Sequence, residues 1–145
     1  MLVSEILRIK GTTTLYTTTP DAPVLDAVKV MAQLDIGSLV VMDHGRVSGL
    51  VTFAEVLRAL ADRGGTLGDL AISAIAERAP LTATPAIDVN ELRRTMLERH
   101  ARYVPVMDGT TLLGVVSFHD VAKAVLEEQG FENQMLKSYI QDSPA

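Results

Sequence analysis

The chain has 145 residues, of which 48% are hydrophobic and 21% charged, and its formal net charge is −5. These values fit one compact globular domain and exclude a largely disordered chain. The acidic balance disfavours a general nucleic-acid binder, and the lack of cysteine excludes disulfides, thiolate metal sites and cysteine nucleophiles.

The first half of the chain alternates helical and extended patterns. Apolar residues recur three or four positions apart in the helical segments and form short runs bounded by turn residues in the extended ones. Gly11 and Gly37 are expected to end the first two helices. In chain order the predicted elements are a helix (4–9), a threonine-rich extended segment (12–20), a helix (24–34), a hairpin with strands 39–42 and 47–51, and a helix (53–61).

The second half repeats this order after a glycine-rich linker at residues 63–66. We expect Gly130 to break the helix that follows the second hairpin, and residues 143–145 to fray. The predicted elements are a short helix from Gly68, an extended segment (81–85), a helix with the stripe Val89, Leu92 and Met96, hairpin strands (103–107 and 112–116), a helix (118–128) and an extra helix (131–140).

The two halves are copies at an offset of 65 positions. Without a gap, this offset aligns Pro20 with Pro85 and Asp43 with Asp108, among many identical pairs. Because a unit of about 60 residues has only a marginal core, the copies should form one domain. We predict an α/β (α+β) fold of two β-α-β-β-α repeats, residues 1–64 and 65–130, packed about a pseudo-twofold axis. Residues 131–145 form a short C-terminal helix and tail.

One motif occurs at the same place in both repeats, where a strand passes into a helix. It reads glycine, two aliphatics, a hydroxyl residue, two variable positions and a carboxylate, at 49–55 and again at 114–120. The hydroxyl and the free N–H groups of a helix start suit a phosphate, and the carboxylate could accept both ribose hydroxyls. The same residues also fit a capping box that needs no ligand.

The paired repeat resembles the tandem CBS domain, or Bateman module, of the small stand-alone bacterial type. The resemblance covers essentially the whole chain and rests on residues 40–43 with 49–55 and on 104–108 with 114–120. It implies a regulatory module that is not an enzyme and needs no cofactor. Its ligand would contain adenosine, with AMP, ADP or ATP favoured and S-adenosylmethionine or NAD as further candidates.

The resemblance also implies site residues. Ser117 and Asp120 would hold phosphate and ribose in one cleft, and Thr52 and Glu55 in the other. Arg102 matches a basic position that reaches phosphate. Adenine would lie against Thr82, Ala83, Tyr103 and Val104 in the second repeat and against Thr17, Thr18, Ser38 and Leu39 in the first. Apart from the resemblance, the position of His119 beside Asp120 at a helix start makes it a candidate ligand contact, although a lone surface histidine is the favoured interpretation.

These assignments predict two unequal clefts. Glu55 departs from the aspartate usual at its position, and Gly37 stands where the second repeat has Arg102. A planar guanidinium suits phosphate, so the Asp120 site should be the better nucleotide site.

Other readings follow from the same residues. The main alternative is a structural dimerisation module with vestigial clefts, and we expect a homodimer, with the C-terminal helix packed on the partner subunit. An unknown protein partner would read out ligand binding. A basic cluster, Arg93, Arg94, Arg99, His100 and Arg102, fits a solvated helix face better than a nucleic-acid site.

Catalysis, metal binding and membrane insertion have little support. No nucleophile–base pair or cofactor fingerprint is present, and no two histidines have helical metal-site spacing. The N-terminus does not fit a signal peptide, and no apolar run approaches about 20 residues. We therefore expect a cytoplasmic, soluble protein.

Overall fold

The computed structural model describes residues 1–11 and 14–142, with side chains described as far as residue 138. This part of the chain forms a mixed α+β fold, which confirms the predicted class. Its elements are α1 (Val3–Lys10), β1 (Thr17–Thr18), α2 (Val24–Leu34), β2 (Ser38–Asp43), β3 (Arg46–Thr52), α3 (Phe53–Asp62), a 3₁₀ turn (Ile72–Ala74), α4 (Val89–Arg99), β4 (Tyr103–Asp108), β5 (Thr111–Ser117) and α5 (Phe118–Asp142).

The two predicted hairpins are present and match in detail. β2 pairs with β3 and β4 pairs with β5, both antiparallel, and each ladder is interrupted at the same repeat position, after Val41 and after Val106. The first hairpin turns at His44 and Gly45, whose φ angles of 51° and 81° suit a tight turn between twisted strands. The duplication is therefore visible in the backbone.

The threonine-rich segments are shorter strands than predicted. In the first repeat only Thr17–Thr18 pair, parallel to β2, and residues 12 and 13 lie outside the described part of the chain. In the second repeat a single bridge joins Ala83 to Val106. The second sheet therefore has two strands where the first has three.

Three predicted helix boundaries are wrong. α2 ends at Leu34, and Asp35 supplies the left-handed cap with φ 53°, so Gly37 is not the stop. The helix expected from Gly68 is only a 3₁₀ turn at Ile72–Ala74. Residues after Gly130 are helical as predicted, but α5 runs through Gly130 without a break, since one interior glycine costs only about 1 kcal/mol. The predicted frayed end, 143–145, lies outside the described residues.

Each repeat packs against the segment that precedes the other repeat. The N–H of Val3 donates to the carbonyl of Ile87 (3.0 Å), and the N–H of Ile72 donates to that of Ala22 (2.9 Å). Val3 and Ile6 of α1 accordingly lie in the core with α4, β4, β5 and α5. Ile72 lies in the other core with α2, β2, β3 and α3. These exchanged segments join the two repeats into one body.

A third apolar cluster lies between the two hairpins. Its buried members are Val40, Leu50 and Leu112, and Tyr103 is among the partly buried side chains around it. The hairpins thus meet face to face, as the predicted pseudo-twofold arrangement requires. This contact places the end of each hairpin beside the beginning of the other.

Candidate functional site: two clefts between the repeats

Two clefts open at the junction of the hairpins, with volumes of about 600 and 680 Å³. Both volumes are within the range of small-molecule sites. We name them the Asp120 cleft and the Glu55 cleft after the carboxylate in each. Both contain residues of both repeats, so neither cleft would exist in an isolated repeat.

The Asp120 cleft takes most of its lining from three segments. Residues 112–115 and 117–120 come from β5 and the start of α5, residues 35–38 from the connection into β2, and Thr14–Tyr16 from the stretch before β1. The remaining lining residues are Leu7, Lys10, Val40, Arg102 and Tyr103. The Glu55 cleft has the pseudo-symmetric set: residues 52–55, 99–103 and 79–81. The duplication therefore produces two related sites with different side chains.

This arrangement corrects the pairing expected from the sequence. We expected Ser117 and Asp120 to share a cleft with the adenine positions of their own repeat. Instead they face Ser38 and the residues before it, whereas Thr52 and Glu55 face Tyr103. The reason is the face-to-face packing of the hairpins, which brings the last strand of one repeat to the first strand of the other.

Several predicted adenine positions lie away from both clefts. Leu39, Ala83 and Val104 are buried in the cores. Thr17, Thr18 and Thr82 are at least partly exposed, but none of these six residues lines either cleft. Alternation along a strand explains Leu39 and Val104, because their neighbours Ser38 and Tyr103 face the clefts instead, whereas Ala83 is held in the core by its bridge to Val106.

Asp120 is held by its own helix start and by a lysine. Its Oδ2 accepts hydrogen bonds from the N–H of Ser117 (2.8 Å) and from Nζ of Lys10 (2.9 Å). The N–H of Asp120 donates in return to Oγ of Ser117 (3.1 Å), which completes a reciprocal cap. Oδ1 accepts no hydrogen bond from the described residues, and it lies in a side chain that is 19% exposed.

These contacts lower the pKa of Asp120 below its ordinary value of 3.8. Burial is the largest single influence and raises the pKa. The hydrogen bond from the Ser117 backbone, the hydrogen bond and charge of Lys10 and the Ser117 hydroxyl together outweigh it. The carboxylate is therefore ionised at neutral pH and able to accept hydroxyl donors.

Glu55 is committed to its cap more completely than Asp120. Its Oε1 accepts from both the N–H (2.8 Å) and Oγ1 (3.0 Å) of Thr52. Its Oε2 lies 3.6 Å from Nη1 of Arg58, one turn along the same helix, and the side chain is 11% exposed. Capping, which the sequence left open as the alternative role, is thus present in both repeats.

Arg102 and Tyr103 line both clefts, and so does Phe118. A Cβ built on Gly37 would overlap the hydroxyl and Cζ of Tyr103, so the tyrosine ring lies against this glycine. Ser38 is the repeat counterpart of Tyr103, and a small residue there leaves the ring room at the centre. Sequence analysis gave Arg102 to one cleft only.

His119 lies in the Asp120 cleft, where it was expected, and is exposed. Lys10 is the main cleft residue that sequence analysis missed, together with Asp35 and Ile36. A hint was available for Lys10, since it is a cation at the end of a short amphipathic helix. Its contact with Asp120, 110 positions away, follows only from the packing of α1.

Two other features are absent from the described residues. No group of three or more histidine, aspartate or glutamate side chains in this part of the chain could hold a metal ion. Among the described helices, none has the length and apolarity that crossing a bilayer requires.

The chain belongs to the CBS domain family, whose model matches it twice, at residues 3–62 and 72–127. Among curated proteins, it is 32% identical to the mitochondrial CBS domain-containing protein CBSX3 of Arabidopsis thaliana, covering 96% of this chain and 71% of that protein. It is also 32% identical to arabinose 5-phosphate isomerase KdsD of Yersinia pestis, but it spans only 37% of the length of that enzyme.

Solved structures show the same fold. A putative signal-transduction protein with CBS domains from Burkholderia ambifaria has a TM-score of 0.83 at 30% identity, covering 89% of this chain and 96% of that one. The CBS domain pair of protein MJ0100, solved with 5′-methylthioadenosine and S-adenosylmethionine, has a TM-score of 0.76 at 24% identity, covering 88% and 98%. At this identity the second likeness shows the fold alone.

Proposed function

We propose that the protein is a regulatory module that binds an adenosine-containing ligand, AMP, ADP or ATP in the first place, and that it catalyses no reaction. Ligand binding would bias the relative setting of the two repeats, which contribute jointly to each cleft. A partner protein or a change of assembly would then read out the change.

The observation that carries this proposal is that Oδ1 of Asp120 accepts no hydrogen bond from the residues that the structure describes. A carboxylate that is fixed by Ser117 and Lys10 through one oxygen can present the other to the two hydroxyls of a ribose. The N-terminus of α5 lies beside it, and its partial positive charge favours a phosphate, although the N–H groups of Ser117, Phe118 and Asp120 already donate within the protein. Arg102 adds a planar donor at the same cleft.

The base would occupy the apolar part of the Asp120 cleft. Ile36, Leu112 and Val115 line it together with Tyr103 and Phe118. Aromatic and aliphatic surfaces of this kind suit a flat purine, and the backbone of residues 35–38 can supply polar contacts to its edge. We favour this cleft over the Glu55 cleft because Glu55 has both oxygens engaged.

Relatives support the ligand class without identifying the ligand. The MJ0100 pair was solved with two adenosine compounds, which supports the capacity of the fold to hold such molecules. KdsD and a tRNA nucleotidyltransferase of Geobacter sulfurreducens match this chain over part of their own lengths, 37% and 11%. This pattern is consistent with a module that accompanies catalytic domains without supplying chemistry.

Self-association is a second proposed property. Large apolar side chains remain exposed on three helices, for example Leu57 on α3, Leu97 on α4 and Leu126 on α5. Such faces suit a symmetric contact between two copies of the chain. A hexameric CBS-CP12 protein from cyanobacteria, 26% identical with a TM-score of 0.73, covers 84% of this chain and 69% of that one.

Isothermal titration calorimetry tests the ligand proposal. Wild type, Asp120→Asn and the matched variant Glu55→Gln would each be titrated with AMP, ATP and S-adenosylmethionine, with thermal unfolding as a check on folding. We expect Asp120→Asn to weaken the tightest site at least about tenfold, as loss of a charged acceptor does, and Glu55→Gln to leave it unchanged. Absence of binding in wild type, or equal binding in Asp120→Asn, would refute the proposal.

A further inference from the structure

Lys10 occupies an unusual place for a surface cation. It is the last residue of α1, which is anchored to the second repeat by the buried side chains of Val3 and Ile6. Gly11 then turns the chain in a left-handed conformation with φ 65°. The lysine is thereby directed to the Asp120 cleft by a helix whose position the core determines.

The ammonium group of Lys10 is only partly used by the protein. Nζ donates to Oδ2 of Asp120 (2.9 Å) and to the carbonyl of Val115 (3.1 Å). An ammonium has three N–H donors, so one remains that no residue in the described part of the chain accepts. The side chain is 35% exposed and lines the cleft, which leaves that donor accessible to a ligand.

The Glu55 cleft has no counterpart of this cation. The hydrogen bond by which Val3 anchors α1 has its equivalent in the other repeat at Ile72, 69 positions later. The same offset makes Ala79 the counterpart of Lys10. Ala79 lines the Glu55 cleft. The arginines that line the Glu55 cleft are Arg58, Arg99 and Arg102. Of these, Arg58 is 73% exposed and lies 3.6 Å from Oε2 of Glu55.

We infer that Lys10 makes the Asp120 cleft selective among adenosine ligands. Ligands with a phosphate group attached to the ribose should bind more tightly than ligands that are neutral or cationic at the same position. The inference rests on the proposed function and specifies the ligand class of the same site. Lys10 joins the two polar ends of the ligand: one donor holds Asp120 in place for the ribose, and the free donor meets a phosphate oxygen.

The geometry is compatible with simultaneous contacts. A phosphate oxygen at about 2.8 Å from Nζ would lie within about 6 Å of Oδ2 of Asp120. The N-terminus of α5 and Arg102 lie at the same cleft, so the phosphate would meet three positive partners. An ammonium or sulfonium group at the same place would be repelled by these three positive groups.

Lys10 also sets the charge balance of the cleft. The charged residues that line it are Lys10, Arg102, Asp35 and Asp120, and two charges of each sign cancel. Replacing Lys10 by methionine keeps the aliphatic stem but leaves two carboxylates against one guanidinium. The cleft would then favour a cation more than before, so the preference for AMP over S-adenosylmethionine should fall.

The experiment compares AMP, adenosine and S-adenosylmethionine by calorimetry on wild type, Lys10→Met and Arg8→Met. Arg8 is an exposed cation on the same helix that does not line either cleft, so its variant controls for net charge and helix composition. All titrations would use the Glu55→Gln background, which keeps the Asp120 cleft intact and weakens the other.

The Glu55→Gln protein with no further substitution should bind AMP more tightly than adenosine or S-adenosylmethionine. Lys10→Met should weaken the binding of AMP about tenfold and lower the ratio of the affinities for AMP and S-adenosylmethionine by at least about tenfold. Arg8→Met should change that ratio less than about twofold. The inference about Lys10 would be overturned if the Glu55→Gln protein bound S-adenosylmethionine more tightly than AMP, or if Lys10→Met left the affinity ratio unchanged. Neither result would contradict the proposed function. Binding of none of the three compounds would overturn the proposed function as well.

Discussion

The contact between Gly37 and Tyr103 makes a sharp prediction about the centre of the molecule. A Cβ on Gly37 would overlap the tyrosine hydroxyl and Cζ and would lie 2.9 Å from Cε2 of Phe53. Gly37 is not in the positive-φ region, so its backbone tolerates alanine. Gly37→Ala should therefore destabilise the protein by about 1–3 kcal/mol through overpacking alone.

A double-mutant cycle isolates this effect. Tyr103→Ser installs the residue that the first repeat has at the equivalent position, Ser38, and removes the ring that alanine would meet. In that background Gly37→Ala should lose most of its cost, because only the close approach to Cε2 of Phe53 remains and alanine lowers the entropy of the unfolded chain. The coupling energy between the two sites is then about 1–3 kcal/mol.

Equilibrium urea unfolding measures all four proteins of the cycle. Gly130→Ala is the matched control: nothing lies within 4 Å of a Cβ there, and the residue is inside α5. It should stabilise by up to about 1 kcal/mol if the helix is continuous. If the Gly37 and Tyr103 effects add within about 0.5 kcal/mol, the two residues do not compete for space and the described centre is wrong.

Two further predictions concern the charged groups of the clefts. The folded state lowers the pKa of Asp120 below 3.8, so the ionised carboxylate stabilises the fold above that value, and this contribution is lost as pH falls through the folded pKa. Thermal unfolding should thus find Asp120→Asn less stable than wild type at pH 7, with the gap closing below about pH 4; a constant gap would contradict this. Arg102 lines both clefts, so Arg102→Ala should weaken nucleotide binding about tenfold in both the Asp120→Asn and the Glu55→Gln backgrounds. A loss confined to one background in calorimetry would show that the guanidinium serves a single cleft.

Much of the fold was predictable because its signals are local or repeated. Helical periodicity gave the bounds of α2 and the buried stripe of α4, and the polar turns located both hairpins. Errors came where tertiary packing outweighs a local signal. Gly130 does not end α5, and Gly37 is a glycine because of the ring of Tyr103, not because a helix stops there.

The candidate site was predictable only in part. The motif that ends in Asp120 was evident because the chain contains it twice, and its capping role follows from spacing alone. The partners of Asp120 were not evident. Ser38 and Lys10 come from segments about 80 and 110 positions away, and no pattern within either segment indicates the other.

By itself, then, the sequence determined that there are two copies of one unit, the order of most elements in each copy and the caps that open α3 and α5. These follow from local backbone preferences and from the period of apolar residues, which are properties of neighbouring positions. Only the tertiary structure decided which strand end faces which strand start, and that α1 brings Lys10 to Asp120. The physical reason is that a half-size unit cannot bury its sheet alone, and the way two such sheets cover each other is a property of their joint surface.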